Sequence, residues 1–245
     1  MTRSQLAGDG HRQRAIHTED KELRYQAILD AAEPLLHHAT GRGPSMADVA
    51  DEAGLAKGTV YLYFPSKNEL LLALLERDID GFFSALAGIL EGSAPLSIDQ
   101  ILTLMQRKIF EPPLFLPLAG RCFGWVGQSL PIEVARGFNA RMAGRLERAG
   151  GGLERHFQGL RPGDGVALLR HSYALILGFW QTARGAATRC APRPAGTAIG
   201  DYAALARSDA QDLDRALRAL WEGTLNRDET RATQHAPEAR NNSAV

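Results

Sequence analysis

Lys57, Gly58, Thr59 and Tyr61 lie within five consecutive positions and bring together an ammonium, a bare backbone, a hydroxyl and a phenol ring. None of these groups is set beside a base or a nucleophile partner, so the chemistry they offer is recognition. Lysine donates to guanine acceptors, and glycine lets another molecule approach the backbone closely. Pro65, Ser66 and Lys67 follow after three further residues. A helix opened by Ser66 and Lys67 points its positive dipole end outward, where phosphate binds well.

These groups need two short helices and a tight turn to hold them. Ser45 is a good N-cap, with Asp48 three residues on in a capping-box-like arrangement. Met46, Val49 and Ala50 give one apolar face. Ala53-Gly54-Leu55 makes the turn, with Gly54 suited to the left-handed conformation at a helix end. The next helix runs from about Lys57 to Phe64, and Val60 and Phe64, four apart, face inward together. Pro65 stops it, and Ser66 with Glu69 caps the following helix. This is a helix-turn-helix, with Lys57, Gly58, Thr59 and Tyr61 where such helices meet base edges.

The stretch A-x-x-A-G-L-x-K-G-T-V-Y-x-Y-F-x-S-K-x-E-L, Ala50 to Leu70, resembles the TetR family of bacterial regulators. The resemblance covers the N-terminal quarter of the chain; the remainder resembles the family in its helical pattern and length. It implies that Lys57, Gly58 and Tyr61 face bases in the major groove, while Ser45, Thr59, Tyr63 and Lys67 hold phosphates. It also implies a homodimer reading a palindromic operator on double-stranded DNA, and a larger domain that binds a small-molecule effector and releases repression. One position departs from the pattern. The family usually has serine where this chain has Ala56, and alanine cannot accept from the first N–H groups of the helix, a loss of about 1 kcal/mol.

Helical periodicity dominates the whole chain, so the expected fold is all-α. It comprises a flexible arm over 1–20, a three-helix helix-turn-helix DNA-binding domain over 21–68, a larger ligand-binding and dimerisation domain over 69–226, and a disordered tail over 227–245. The first helix is expected over Lys21 to Ala39, with Pro34 kinking or fraying it. A long helix to about Leu90 should link the two domains mechanically. Ile98 to Ile109 reads as a helix broken by Pro112, Pro113 and Pro117, followed by a short one over Arg121 to Ser129. Val134 to Leu160 keeps phase through Gly150-Gly151-Gly152, which should weaken or bend that helix. Val166 to Ala187 is apolar on most sides, which predicts a core face plus a subunit interface. The last helix is expected to open at Ser208 or Asp209.

Charge does not argue for DNA. Lysines and arginines number 28, as do the acids, so the case rests on which face carries the cations. Hydrophobic residues make up 44% of the chain, enough for a substantial core. No signal sequence or membrane span is read from the sequence, and only Cys122 and Cys190 are present, so a cytoplasmic protein without membrane contact is expected. No H-E-x-x-H, C-x-x-C or G-x-S-x-G occurs, and K-G-T is the wrong order for a phosphate loop. A non-enzyme is therefore expected, with no cofactor and no metal. The second domain carries polar groups among apolar ones, namely Gln106, Arg121, Gln128, Asn139, His171 and Gln181 near Trp125, Phe138, Tyr173 and Trp180. These are residues of the kind that line an effector pocket. The alternative reading is a helical small-molecule-binding or enzymatic protein whose N-terminal motif no longer reads DNA.

Overall fold

The computed structural model describes residues 3–38, 43–92, 94–125, 129–189 and 210–226, with side chains described from residue 20 onward except at 122–125, 184–189 and 210. Among them are nine α-helices and no strand: α1 (Arg3–His37), α2 (Met46–Glu52), α3 (Lys57–Tyr63), α4 (Lys67–Leu90), α5 (Ile98–Met105), α6 (Phe115–Trp125), α7 (Ile132–His156), α8 (Asp164–Arg189) and α9 (Ala210–Leu225). A π-helical turn, Gln106–Phe110, continues α5. Within the described residues no helix is long and apolar enough to cross a membrane. The expected tail over 227–245 and the expected cap at Ser208 or Asp209 lie outside the described residues.

The chain packs as two compact units. The first comprises Met1–Asp78 and Pro113–Val134, the second Ile79–Pro112 and Ala135–Val245. Residues 113–134 thus group with the helix-turn-helix segment, and 79–112 with the C-terminal helices.

In the first unit, α1 packs on α2 and α2 on α3. Ile28, Leu29, Ala32, Val49, Ala50, Val60, Leu70 and Leu71 are almost wholly buried. Tyr25 of α1 stacks on Phe64 with ring centroids 4.9 Å apart. Arg77 of α4 reaches back to α1, with Nη1 2.6 Å from Asp30 Oδ1 and Nη2 2.6 Å from Glu33 Oε2. The first helix starts at Arg3 instead of about Lys21, so the segment expected as an arm is helical from Arg3 on. No proline or glycine pair interrupts 11–33, and polar residues alone do not break a helix. Pro34 lies in its last turn, where the following helix is short, and His38 N–H still bonds Pro34 O at 3.1 Å.

In the second unit, α9 packs against α5 and α8. Trp221 of α9 is fully buried and its Nε1–H donates to Ser172 Oγ at 2.9 Å, so both polar groups are satisfied inside the core. Arg145 of α7 joins Asp80 of α4 at 2.6 Å.

Three expectations are corrected by the backbone. Pro117 does not break a helix: α6 begins at Phe115, so Pro117 stands in the first turn, where its missing N–H has no intrahelical partner to lose. The Gly150-Gly151-Gly152 run does not mark a weak point in α7. A Cβ on Gly150 would sit 2.6 Å from the Val166 side chain and 2.7 Å from its backbone N, and one on Gly152 would sit 2.7 Å from Leu90 Cδ1. Glycine is what lets α8 and α4 come that close. Helix α8 is not apolar all round, because Arg170, His171, Ala174, Gly178, Gln181 and Thr182 share an exposed side, while Leu168, Leu169, Ile176 and Leu177 are buried.

Candidate DNA-binding interface

Helix α2 opens with the expected capping box. Ser45 Oγ accepts from Asp48 N–H at 3.2 Å, and Asp48 Oδ2 accepts from Ser45 N–H at 2.7 Å. The bonds from Ser45 hold the Asp48 carboxyl below its ordinary pKa, the charge of Lys67 adding to the effect. Ser45 Oγ is thereby used as an acceptor, and its hydroxyl proton stays available to a phosphate oxygen.

The turn has the double hydrogen bond of a left-handed helix stop. Gly54 has φ +65°, Leu55 N–H bonds Ala50 O at 2.9 Å, and Gly54 N–H bonds Asp51 O at 3.2 Å. This pairing sets the direction in which α3 leaves. At Ala56 the backbone is extended, φ −64° and ψ 139°, yet its methyl makes no cap. Thr59 N–H turns back to Ala56 O at 2.8 Å instead.

Helix α3 divides cleanly by face. Val60 and Phe64 are 0% and 2% exposed, and anchor it. Lys57, Gly58, Tyr61 and Leu62 are exposed, and Thr59 and Tyr63 are half-buried at the margins. A Cβ on Gly58 would meet no described atom within 4 Å, so this glycine leaves an open surface and fills no internal contact. Lys57 Nζ stands 5.9 Å from the Tyr61 ring centroid, within cation–π reach. Ser66 caps α4 by accepting from Glu69 N–H at 3.2 Å, and its hydroxyl donates to Glu69 Oε1 at 3.0 Å.

Lys67, in the first turn of α4, lies beside the start of α2: it shares a small pocket with Pro44, Ser45 and Met46. Burial lowers its pKa, the neighbouring charge of Arg121 lowers it further, and Asp48 opposes both. Ser45 and Lys67 therefore form one polar corner, while Lys57, Gly58, Thr59, Tyr61 and Tyr63 ride on α3. Leu62, which the sequence reading leaves unassigned, joins that surface at 84% exposure. Its signal was its phase, off the Val60–Phe64 side of the helix.

The residues expected around an effector do not gather in one place. Gln106 starts the π-helical turn and lines a cleft of about 300 Å³ with Leu102, Met105, Phe110, Ile176, Leu213 and Arg218. Asn139, His171 and Gln181 are exposed; Phe138, Tyr173 and Trp180 are half-buried. Arg121 is exposed and belongs to the first unit, where its charge acts on Lys67. The Trp125 side chain and Gln128 lie outside the described residues. Asn139 on α7 and His171 and Gln181 on α8 lie on the exposed sides of their helices, which periodicity read as a single mixed pattern did not separate from the buried ones. A second cleft of about 570 Å³ lies along α4 and α7, lined by Phe83, Ala87, Leu90, Arg145, Arg148 and Arg155 among others.

Residues 28–74 match the profile of bacterial regulatory proteins of the tetR family, and residues 76–228 match the tetracyclin repressor-like C-terminal domain. The chain is 41% identical over 76 residues to the HTH-type transcriptional regulator EthR of Mycobacterium tuberculosis, covering 31% of this chain and 34% of that one. It is 32% identical over 97 residues to the HTH-type transcriptional regulator RutR of Escherichia coli, covering 40% of this chain and 43% of that one. The matched stretches thus span between about a third and somewhat over two fifths of these relatives' length. Among solved structures, the multidrug binding protein EbrR complexed with imidazole superposes with a TM-score of 0.45 at 21% identity, over 70% of this chain and 97% of that one.

Proposed function

The chain belongs to the TetR family of bacterial regulators, and on that premise we propose that it is a cytoplasmic, sequence-specific transcriptional regulator that binds operator DNA as a homodimer. The observation that carries the reading is the division of α3: Val60 and Phe64 lock one side into the core, and Lys57, Gly58 and Tyr61 stand exposed on the other. Two such helices related by a two-fold axis would read a palindrome, each lying in the major groove. Ser45, Thr59, Tyr63 and Lys67 would hold the flanking phosphates and so set the register.

Dimerisation through α8 and α9 is supported by Tyr173, Leu175, Phe179 and Trp180, which are large, apolar or aromatic and only half-buried in a single chain. Repression relieved by a small effector completes the reading. The cleft at Gln106 is a candidate place for one: Leu102, Met105, Phe110, Ile176 and Leu213 share its lining with Asp99, Arg107, Glu111, Asp214 and Arg218, so it suits a polar or charged effector, and it includes a π-helical turn of the sort often found at functional sites. Helix α4 is continuous from Lys67 to Leu90 and contributes residues to both units. An effector that shifted its tilt would alter the spacing of the two readers, and a coupling of about 1–3 kcal/mol is enough. The protein acts as a binder and carries out no catalysis.

The test is binding of the purified protein to genomic fragments, including the DNA beside its own gene, at physiological salt with competitor DNA. A discrete palindromic footprint is the expected outcome. Equal binding to all fragments, or none with and without candidate effectors, would overturn the proposal.

A further inference from the structure

Among the described residues four large apolar side chains are exposed, and two of them, Tyr61 at 41% and Leu62 at 84%, are neighbours on the seven-residue α3. Leu62 is the most exposed of the four. It stands four positions after Gly58, on the same side of the helix. Helical side chains lean toward the N-terminus, so Leu62 leans toward the turn that contains Gly58 without filling it. At Gly58 that turn is bare, and a Cβ there would touch no described atom within 4 Å. Tyr61, three positions after Gly58, bounds the same gap on its other side, and Lys57 lies over its ring at 5.9 Å. The result is an open stretch of backbone at Gly58, flanked at helical spacing by a leucine on one side and an aromatic ring on the other. It is set among hydrogen-bonding groups on the surface that the proposed function turns toward DNA.

An open, apolar-flanked backbone of this kind matches one feature of a base edge. In the major groove only thymine presents an apolar group, its 5-methyl, and apolar side chains are what recognise it. We propose that Leu62, with Tyr61 and the bare backbone at Gly58, reads a thymine 5-methyl in each operator half-site and is a specificity-determining residue of this chain. The inference rests on the DNA-binding reading above. It adds a contact that hydrogen-bond donors cannot supply, since an ammonium or a hydroxyl does not distinguish thymine from a base with the same acceptors but no methyl.

The experiment uses the full-length protein. A preferred site is selected from a random duplex library, and each thymine of that site is then replaced in turn by deoxyuridine, which removes the methyl and preserves every hydrogen bond. The expected result is one position per half-site at which the replacement weakens wild-type binding by about fourfold, the weight of one buried methyl. Leu62→Ala should bind thymine and deoxyuridine alike at that position and keep its response elsewhere. Because the side chain is so exposed, the variant should unfold at the wild-type temperature, which separates a lost contact from a lost fold. If no deoxyuridine replacement weakens the wild type, or if the loss persists undiminished in Leu62→Ala, the assignment of Leu62 is overturned while the regulator reading stands. If the library yields no preferred site at all, the DNA-binding reading itself fails.

Discussion

Two side chains in the first unit do work that their neighbours define. Lys67 sits at the N-terminal end of α4 and lines one small pocket with Ser45, and the proposed function gives both a phosphate to hold. A phosphate contact carries no sequence information. Lys67→Ala should therefore weaken binding to specific and unrelated duplexes in parallel, and lower the slope of log affinity against log salt by about one; titrations at several salt concentrations measure both. Asp78 is a different case. Burial first, and then the charge of Glu33, raise its pKa from 3.8 to about 6, with Arg77 opposing. The folded state thus holds the proton more tightly than the unfolded one. The stabilisation this provides is complete below pH 3.8 and is lost as pH rises through about 6. Asp78→Asn, which keeps the shape and removes the charge, should melt above wild type at pH 7.5 and close to it at pH 4. A melting gap that did not vary with pH would refute this.

At the scale of elements, the caps and crossings are the informative features. Helix α3 has an extended N-cap backbone at Ala56 but no side chain able to accept. Ala56→Ser should stabilise the free protein by about 1 kcal/mol by chemical denaturation, since the conformation a serine cap requires is already present. In α7, adjacent glycines should respond in opposite directions. Gly151→Ala has room, its Cβ meeting only the end of Arg155 at 3.8 Å, and should gain up to about 1 kcal/mol from helix propensity. Gly150→Ala would drive a methyl to within 2.7 Å of the Val166 backbone nitrogen, and should lose about 1–3 kcal/mol despite the same propensity gain. Unfolding curves of the two variants at one pH decide the matter. The same crossing explains why three glycines in a row do not break α7: what a lone helix would lose in propensity, the packed helix recovers in contact.

For the whole molecule, the proposed homodimer rests on the surface left by α8. Leu175, Phe179 and Trp180 are half-buried, beside an exposed side made of small and polar residues such as Ala174 and Gly178. A second copy packing there would complete their burial and leave the buried Leu168, Leu169, Ile176 and Leu177 undisturbed. Phe179→Glu should consequently shift the protein from dimer to monomer in light scattering while its helical circular dichroism is retained. It should also reduce operator affinity at least tenfold, because two half-sites would then be bound independently.

What the sequence determined by itself is local. Ser45 with Asp48, Gly54, the Val60–Phe64 pair and Ser66 with Glu69 specify caps, a turn and a buried face over spans of a few residues, and each is readable because its physics is complete within that span. The all-helical class was legible for the same reason, through periodicity. Tertiary structure decided the rest. Whether Gly150 weakens a helix or permits a crossing depends on Val166, sixteen positions away, and whether Arg121 belongs with an effector or beside Lys67 depends on how residues 113–134 fold back. The scatter of the expected effector residues has the same origin. Residue type marks a side chain as fit for a pocket, but the rotation of α7 and α8 about their axes determines which side chains face inward, and that rotation is set by contacts between helices distant in sequence.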